Sequence, residues 1–350
     1  SELGAIVIQD LLRRSGLAGD QISEVILGQV LQAGCGQNPA RQAVIKSGLP
    51  NAVPAMTINK VCGSGMKTVM LAAQAVRLGD ANFVVAGGME SMSNAPYLLD
   101  KARTGYRMGH GQLVDSMIHD GLWDPYNNVH MGNCGDATSA EFAFTRDQLD
   151  AFAAESVRRA RAAQEAGRLA EEIVSVEVPQ RKGDPIVVSA DEEPGRAMPE
   201  KLPGLRPAFG KEGVTTAGNA SSIDDGAGAL VIAGSEAVKG KGLKALGRIV
   251  AYATHAQEPQ WFTTAPAFAI EKLLAKSKLQ VSEIDLFEVN EAFAVVSMVV
   301  AQKVGIPHEK LNVNGGAVAL GHPIGMTGAR LVLTALHELR RRGGRYAVAT

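Results

Sequence analysis

Val61-Cys62-Gly63-Ser64-Gly65-Met66-Lys67-Thr68-Val69-Met70 runs from a glycine-rich turn straight into a helix. Met66, Val69, Met70, Ala73 and Val76 follow the spacing of an amphipathic helix and share one face. Upstream, Val25 to Val30 is apolar and strand-like; downstream, Phe83-Val84-Val85-Ala86 reads as a short buried strand closed by Gly87-Gly88. Strand, turn, helix and strand in that order predict a parallel sheet with helices packed on it.

The second half of the chain repeats this arrangement. Ser282-Glu283-Ile284-Asp285-Leu286 echoes Ser23-Glu24-Val25-Ile26-Leu27, an acidic approach to an apolar strand in each case. A glycine-rich turn from Gly321 to Gly328 precedes a helix with Ala329, Val332, Leu336 and Leu339 inward, and Gly343-Gly344 leads to a buried strand at Tyr346 to Thr350. Matches in the same order predict duplication of one α/β unit.

Between the halves, Met92 to Asn219 is irregular, with Tyr97, Tyr106, His110, Trp123, Tyr126 and His130 spread through loops. One helix interrupts it: Thr145 and Gln148 have capping-box spacing, and the helix should reach about Gly167. The stretch from Pro185 to Pro207 is rich in proline and charge. An insertion this long reads as a lid or binding region. Ala227 to Ala233 then resumes as a strand returning to the first sheet. The expected division is an N-terminal α/β half over 1–92, an inserted domain over 93–219, a return over 220–243 and a C-terminal α/β half over 244–350.

Composition narrows the function classes. A chain of 350 residues, 46% hydrophobic and 20% charged, suits a globular enzyme with a substantial core. A net charge of -1 gives no electrostatic reason to expect nucleic acid, and no apolar run approaches the ~18 residues that cross a bilayer. The 3 cysteines, Cys35, Cys62 and Cys134, are too scattered for a disulfide framework and favour a reducing compartment, cytoplasmic or mitochondrial. There is no initiating Met, Ser1 to Leu12 already reads as a helix, and the chain stops on a strand. Residues are therefore expected beyond both ends, and targeting is not legible.

Cys62 sits at the turn before the Met66 helix, where the helix dipole and unpaired N–H groups favour a thiolate. The alternative is a small buried apolar residue. His322 lies at the matching turn, Gly321-His322-Pro323-Ile324-Gly325, and pseudo-symmetry would bring the two together. A histidine facing a cysteine is the minimum apparatus for activating a thiol, although a loop histidine bonded to backbone is the common case. Gly316 to Gly321 has phosphate-loop spacing, but His322 stands where that loop needs Lys and no Ser or Thr follows. Asn290, directly after a strand, could hold a water or the histidine, or simply cap a helix. No Cys, His or carboxylate pairs have metal-ligand spacing, so no metal is expected.

Together these blocks resemble the signatures of the thiolases: Val61-Cys62-Gly63-Ser64-Gly65, Asn290-Glu291-Ala292-Phe293, and Asn314-Gly315-Gly316-Ala317 leading to Gly321-His322-Pro323-Ile324-Gly325. Gln37-Asn38-Pro39-Ala40-Arg41 and Asp120-Gly121-Leu122-Trp123-Asp124 resemble the biosynthetic acetoacetyl-CoA branch, and the resemblance spans essentially the whole chain. It implies two duplicated α/β halves stacked as α-β-α-β-α layers, with an inserted loop domain. It implies the reversible condensation of two acetyl-CoA to acetoacetyl-CoA through an acetyl-cysteine, with no cofactor beyond the coenzyme A thioesters themselves.

By the same resemblance, Cys62 takes the acetyl group, His322 activates the thiol, and Asn290 holds a water that helps stabilise a thioester oxygen. His130 and Met131 would line the pantetheine end, with Leu122, Phe209, Ser221, Ala292 and Phe293 around the thioester and Arg196 toward the nucleotide phosphates. A homo-oligomer is implied, a tetramer by preference, with the loop from Asn94 to Gln112 helping to join dimers. The family also carries a second cysteine just after the strand matching Tyr346 to Thr350, serving as acid/base; neither Cys35 nor Cys134 lies in a matching context. The competing readings are a condensing enzyme of the ketoacyl synthase type and a non-catalytic protein of the same fold that binds coenzyme A or lipid.

Overall fold

The computed structural model describes all 350 residues. Its helices are α1 (Glu2–Ser15), α2 (Pro39–Lys46), α3 (Ser64–Leu78), α4 (Met131–Glu141), α5 (Arg146–Glu165), α6 (Ala265–Ser277), α7 (Ala294–Val304) and α8 (Thr327–Arg342), with shorter helical turns between them. The strands that build the two halves are β1 (Glu24–Gly28), β2 (Ala55–Ile58), β3 (Phe83–Ser91), β4 (Asp225–Ala233), β5 (Leu286–Glu288) and β6 (Ala347–Ala349).

The first sheet has the order β4-β3-β1-β2. β1 pairs in parallel with both β2 and β3, whereas β4 returns antiparallel to β3, in register from Asp225 opposite Ser91 to Ala233 opposite Phe83. In the second half β5 pairs in parallel with β6 across α8, as β1 pairs with β3 across α3. The strand–helix–strand unit is thus used twice, and such parallel crossovers need a helix to return the chain to the same edge.

Continuous apolar strands arise because both faces of the first sheet are covered. Val25, Leu27, Phe83 and Val85 point to one side and pack with Ile8 of α1 and Val44 of α2. Ile26, Val84 and Ala86 point to the other and pack with Val69 and Ala72 of α3 and Ala329 of α8. This two-residue alternation is the pleat of the strand, and each buried aliphatic or aromatic side chain contributes ~1.5–3 kcal/mol. Phe287 and Val348 of the second sheet pack against Ala267 and Ile270 of α6 and Val299 and Val300 of α7. The layers are therefore α1/α2, first sheet, α3/α8, second sheet, α6/α7.

The central helices meet at their N-terminal ends. A Cβ on Gly65 would lie 2.8 Å from the backbone N of Ala329, and one on Gly328 would lie 2.3 Å from the backbone N of Met66. Only residues without a side chain let the two helix starts approach this closely. That crossing fixes the turn before α3 beside the turn before α8.

Two expectations need correction. Gly87-Gly88 do not close the strand, because β3 continues to Ser91. Their missing side chains instead admit other backbone: a Cβ on Gly88 would sit 2.1 Å from the Gly325 carbonyl oxygen. The insertion is also more regular than its composition predicts. It holds α4, a turn of π-helix at Met117–Leu122 and several two-stranded ribbons besides α5. Glycine and small polar residues dominate α4, so its sequence lacks an apolar stripe. The capping box of α5 forms as predicted, Thr145 accepting from the Gln148 N–H and Gln148 from the Thr145 N–H.

Candidate active site

The turn before α3 is held in an uncommon backbone conformation. Val61 has φ +47°, a left-handed value that a β-branched side chain rarely adopts. Its N–H donates to Asn59 Oδ1 at 2.8 Å, and its carbonyl accepts from Ser64 Oγ at 2.7 Å. Ser64 Oγ in turn accepts the Lys60 N–H at 2.8 Å. These local bonds over-determine the turn and present Cys62 to a buried apolar cluster of Val30, Leu31, Met92 and Ile324. Leu122, Met117 and Ala95 pack against the same cluster.

Burial decides the state of this thiol. Desolvation pushes Cys62 up to about 11, with the nearby Glu90 charge acting in the same direction. The expectation of a resting thiolate at the helix terminus is therefore corrected: the loss of water outweighs the helix field, which is worth ~0.3–1 kcal/mol. His322 is 4% exposed and burial lowers it to about 3, helped by the Arg330 charge. At neutral pH the pair is a neutral thiol and a neutral imidazole.

The imidazole is gripped at both nitrogens. Nδ1 lies 2.7 Å from Thr327 Oγ1, and Thr327 Oγ1 donates its single proton to the Pro323 carbonyl at 3.0 Å. For both bonds to form, Nδ1 must carry the ring proton, which leaves the Nε2 lone pair as acceptor for Asn290 Nδ2 at 3.2 Å. Asn290 is positioned by the β5–β6 ladder, its N–H donating to the Thr350 carbonyl at 2.9 Å. It does not cap a helix, since α7 starts later with Phe293 as its N-cap. Asn290 Oδ1 is buried without a partner.

The turns that carry Cys62 and His322 are brought together, with no hydrogen bond between the two side chains. Ile324, two residues from His322, packs in the cluster that holds Cys62. Cys35 is exposed and Cys134 is buried; neither joins that cluster.

The remaining candidates form an aromatic wall from the insertion and the second half. His130 caps α4, its Nδ1 accepting the Gly132 N–H at 3.0 Å, and its ring stacks on Phe209 at 4.5 Å. Phe209 meets Phe293 edge-on at 6.0 Å, and Met131 and Ala292 pack alongside. Ser221 donates through both N–H and Oγ to the Ala292 carbonyl, at 3.0 and 3.1 Å. Arg196 stands apart chemically: its guanidinium is paired with Glu192 at 2.9 Å on an exposed four-residue helix.

Sequence reasoning passed over two groups. Thr327 sits five residues after His322 in the first turn of α8, a spacing that signals a possible histidine partner only once the turn is known to fold back. Glu90 follows the glycine pair of β3 and is 2% exposed; an acidic residue at the end of an otherwise apolar strand was its signal. Among titratable side chains, no group of three His, Cys, Asp or Glu could hold a metal ion, and no helix is long and apolar enough to cross a membrane.

Comparison with known proteins shows the family. Residues 1–236 match the family model described as thiolase, N-terminal domain, and residues 243–350 match thiolase, C-terminal domain. An acetyl-CoA acetyltransferase of Pseudomonas aeruginosa is 51% identical over 350 residues, covering 100% of this chain and 89% of that protein. Acetyl-CoA acetyltransferase 2 of Arabidopsis thaliana is 50% identical, covering 99% and 87% respectively. The crystal structure of the Bacillus anthracis acetyl-CoA acetyltransferase superposes with a TM-score of 0.96 at 40% identity, covering 99% of this chain and 88% of that one.

Proposed function

The chain belongs to the thiolase family, and from that premise we propose that it is an acetyl-CoA C-acetyltransferase whose acyl carrier is Cys62. The observation that supports the assignment of residues is the Asn290–His322–Thr327 relay, which leaves Nε2 unprotonated on the turn whose Ile324 packs in the same cluster as Cys62.

In the resting protein Asn290 Nδ2 occupies the Nε2 lone pair. As the sulfur attacks the thioester carbonyl of acetyl-CoA, the thiol proton passes to Nε2 in place of that amide bond. A neutral acid and base exchange the proton during attack, so no buried ion pair has to exist beforehand. The new sulfur–carbon bond forms, the bond from carbon to the coenzyme A sulfur breaks, and the leaving thiolate takes the proton back from Nε2. Between attack and departure, while negative charge sits on the carbonyl oxygen, the released Asn290 N–H and the protonated Nε2 are its donors.

In the condensation a base takes a methyl proton from a second acetyl-CoA, and the resulting carbon nucleophile bonds to the acetyl carbonyl carbon. The bond from that carbon to the Cys62 sulfur breaks, and the proton returns to the sulfur, which leaves acetoacetyl-CoA and the resting thiol. Cys35 and Cys134 are outside the site and are not the base for that step. The reading calls for no resident cofactor, because the thiol of coenzyme A arrives with the substrate. The aromatic wall of His130, Phe209 and Phe293 with Met131 suits the pantetheine arm, an apolar tunnel with few polar contacts. Free thiols favour a reducing compartment, cytoplasmic or mitochondrial.

We also propose a homo-oligomer, a tetramer by preference. Tyr97, Leu99, Met108 and Leu113 are 63%, 50%, 97% and 66% exposed on one segment, an apolar surface that a partner copy would cover. Light scattering at micromolar concentration checks this, and a monomer there overturns it. The activity itself is tested by thiolysis of acetoacetyl-CoA with free coenzyme A. We expect turnover by the wild type and none by Cys62→Ala; activity only on acyl carrier protein thioesters would contradict the substrate class.

A further inference from the structure

A buried carboxylate outside the relay joins the two catalytic turns. Glu90, at the end of β3, accepts the N–H of Val30 at 2.9 Å, of Leu31 at 3.1 Å and of Gly325 at 2.9 Å. Three donors converge on two oxygens, and no acceptor completes the set, so the ionised carboxylate is the form that fits.

Each partner leads toward chemistry. Gly325 lies three residues beyond His322 and packs with no room to spare: a Cβ there would fall 2.6 Å from Glu90 Oε2 and 2.8 Å from the Gln29 Cα. Val30 leads the other way. Its carbonyl accepts from Asn59 Nδ2 at 3.5 Å, and Asn59 Oδ1 holds the Val61 N–H that sets the left-handed turn before Cys62. Val30 and Leu31 also pack directly in the cluster that contains the thiol and Ile324.

We propose that Glu90 is a positioning residue that sets the distance between the Cys62 turn and the His322 turn, by clamping backbone N–H groups of both halves with one charge. The two turns belong to different halves and share no backbone hydrogen bond of their own. The charged form also serves the resting state. A negative group near the sulfur opposes thiolate formation, as does burial, so near neutral pH the thiol keeps its proton in the resting protein. Of other charges near Glu90, Asp225 acts on it from β4, and its own carboxylate is engaged by Ser91 and Ser93.

The inference rests on the reading of Cys62 and His322 given above, and the experiment separates the two. Glu90→Gln keeps the size but turns an N–H₂ toward backbone donors. Steady-state thiolysis and the pH profile of Cys62 alkylation by iodoacetamide are measured on wild type, Glu90→Gln and Cys62→Ala. Misplacement of reacting groups by ~1 Å costs about 100-fold, so we expect kcat to fall ~10–100-fold in Glu90→Gln with KM for coenzyme A within about twofold. We also expect its alkylation profile to move to lower pH, which a merely weakened fold would not produce. Wild-type kcat and an unmoved profile in Glu90→Gln overturn the proposal, as does a loss of activity matching only the unfolded fraction. If Glu90→Gln does not fold, Asn59→Ala breaks the same chain of contacts at an exposed side chain; reduced kcat at constant KM is expected, and wild-type kcat overturns the proposal. Turnover by Cys62→Ala would defeat the underlying reading instead, whatever Glu90→Gln does.

Discussion

Asn290 Nδ2 donates to His322 Nε2 across 3.2 Å, joining the end of β5 to the turn before α8. The bond exists only if Nε2 is unprotonated, and that tautomer is imposed from the far side of the ring by Thr327.

Replacing Thr327 by Val removes the acceptor for the Nδ1 proton while keeping the shape. A buried N–H left unpaired costs ~1–3 kcal/mol, and the ring can relieve that cost by changing tautomer or rotating. Thr327→Val should lower kcat by ~10–100-fold in steady-state thiolysis, with thermal unfolding shifted by only a few degrees. Undiminished kcat would show that the tautomer is not set there.

The thiol should behave as a weak acid. With Cys62 pushed up to about 11 and His322 down to about 3, both are neutral throughout the intervening range. The thiolate fraction is then ~10⁻³ at three pH units below the thiol value. Alkylation of Cys62 by iodoacetamide, mapped by mass spectrometry without substrate, should keep rising through pH 9 instead of reaching a plateau near neutrality. A plateau below pH 7 would reveal a resting thiolate–imidazolium pair.

Val61 offers a test of strain. A left-handed conformation costs an L-residue ~1–2 kcal/mol, while the unfolded-state entropy of glycine costs back ~0.5–1 kcal/mol. Val61 is 39% exposed, so little packing is lost. Val61→Gly should leave stability to denaturant unchanged or raise it by up to ~1 kcal/mol, while kcat falls as the turn loosens. A marked destabilisation would mean that the side chain, not the backbone, holds the turn.

Much of this was legible in the sequence because it depended on period and punctuation. The alternating burial of Val25, Ile26 and Leu27 follows from an apolar run too short for a helix, and the Gly65 and Gly328 turns marked where two helices begin. The cysteine, histidine and asparagine stood out because each follows a strand or opens a glycine-rich turn. What the sequence hid depends on three-dimensional approach. Gly88 looked like a strand terminator because nothing local shows that the Gly325 carbonyl passes over it. Glu90 gained its meaning from donors 60 and 235 residues away. The state of Cys62 was misjudged because helix position is written in the sequence, whereas desolvation by Leu31, Met92 and Ile324 is not.

If Cys62 carries the acyl group, the acetylated protein can be trapped. The protein is incubated with acetyl-CoA, quenched in acid and analysed by intact mass and peptide mapping, with Cys62→Ala in parallel. We expect a mass increase of one acetyl group located on the peptide containing Cys62, lost on adding free coenzyme A and absent from Cys62→Ala. An acetyl group on Cys35 or Cys134, or its persistence at full level in Cys62→Ala, would contradict Cys62 as the acyl carrier.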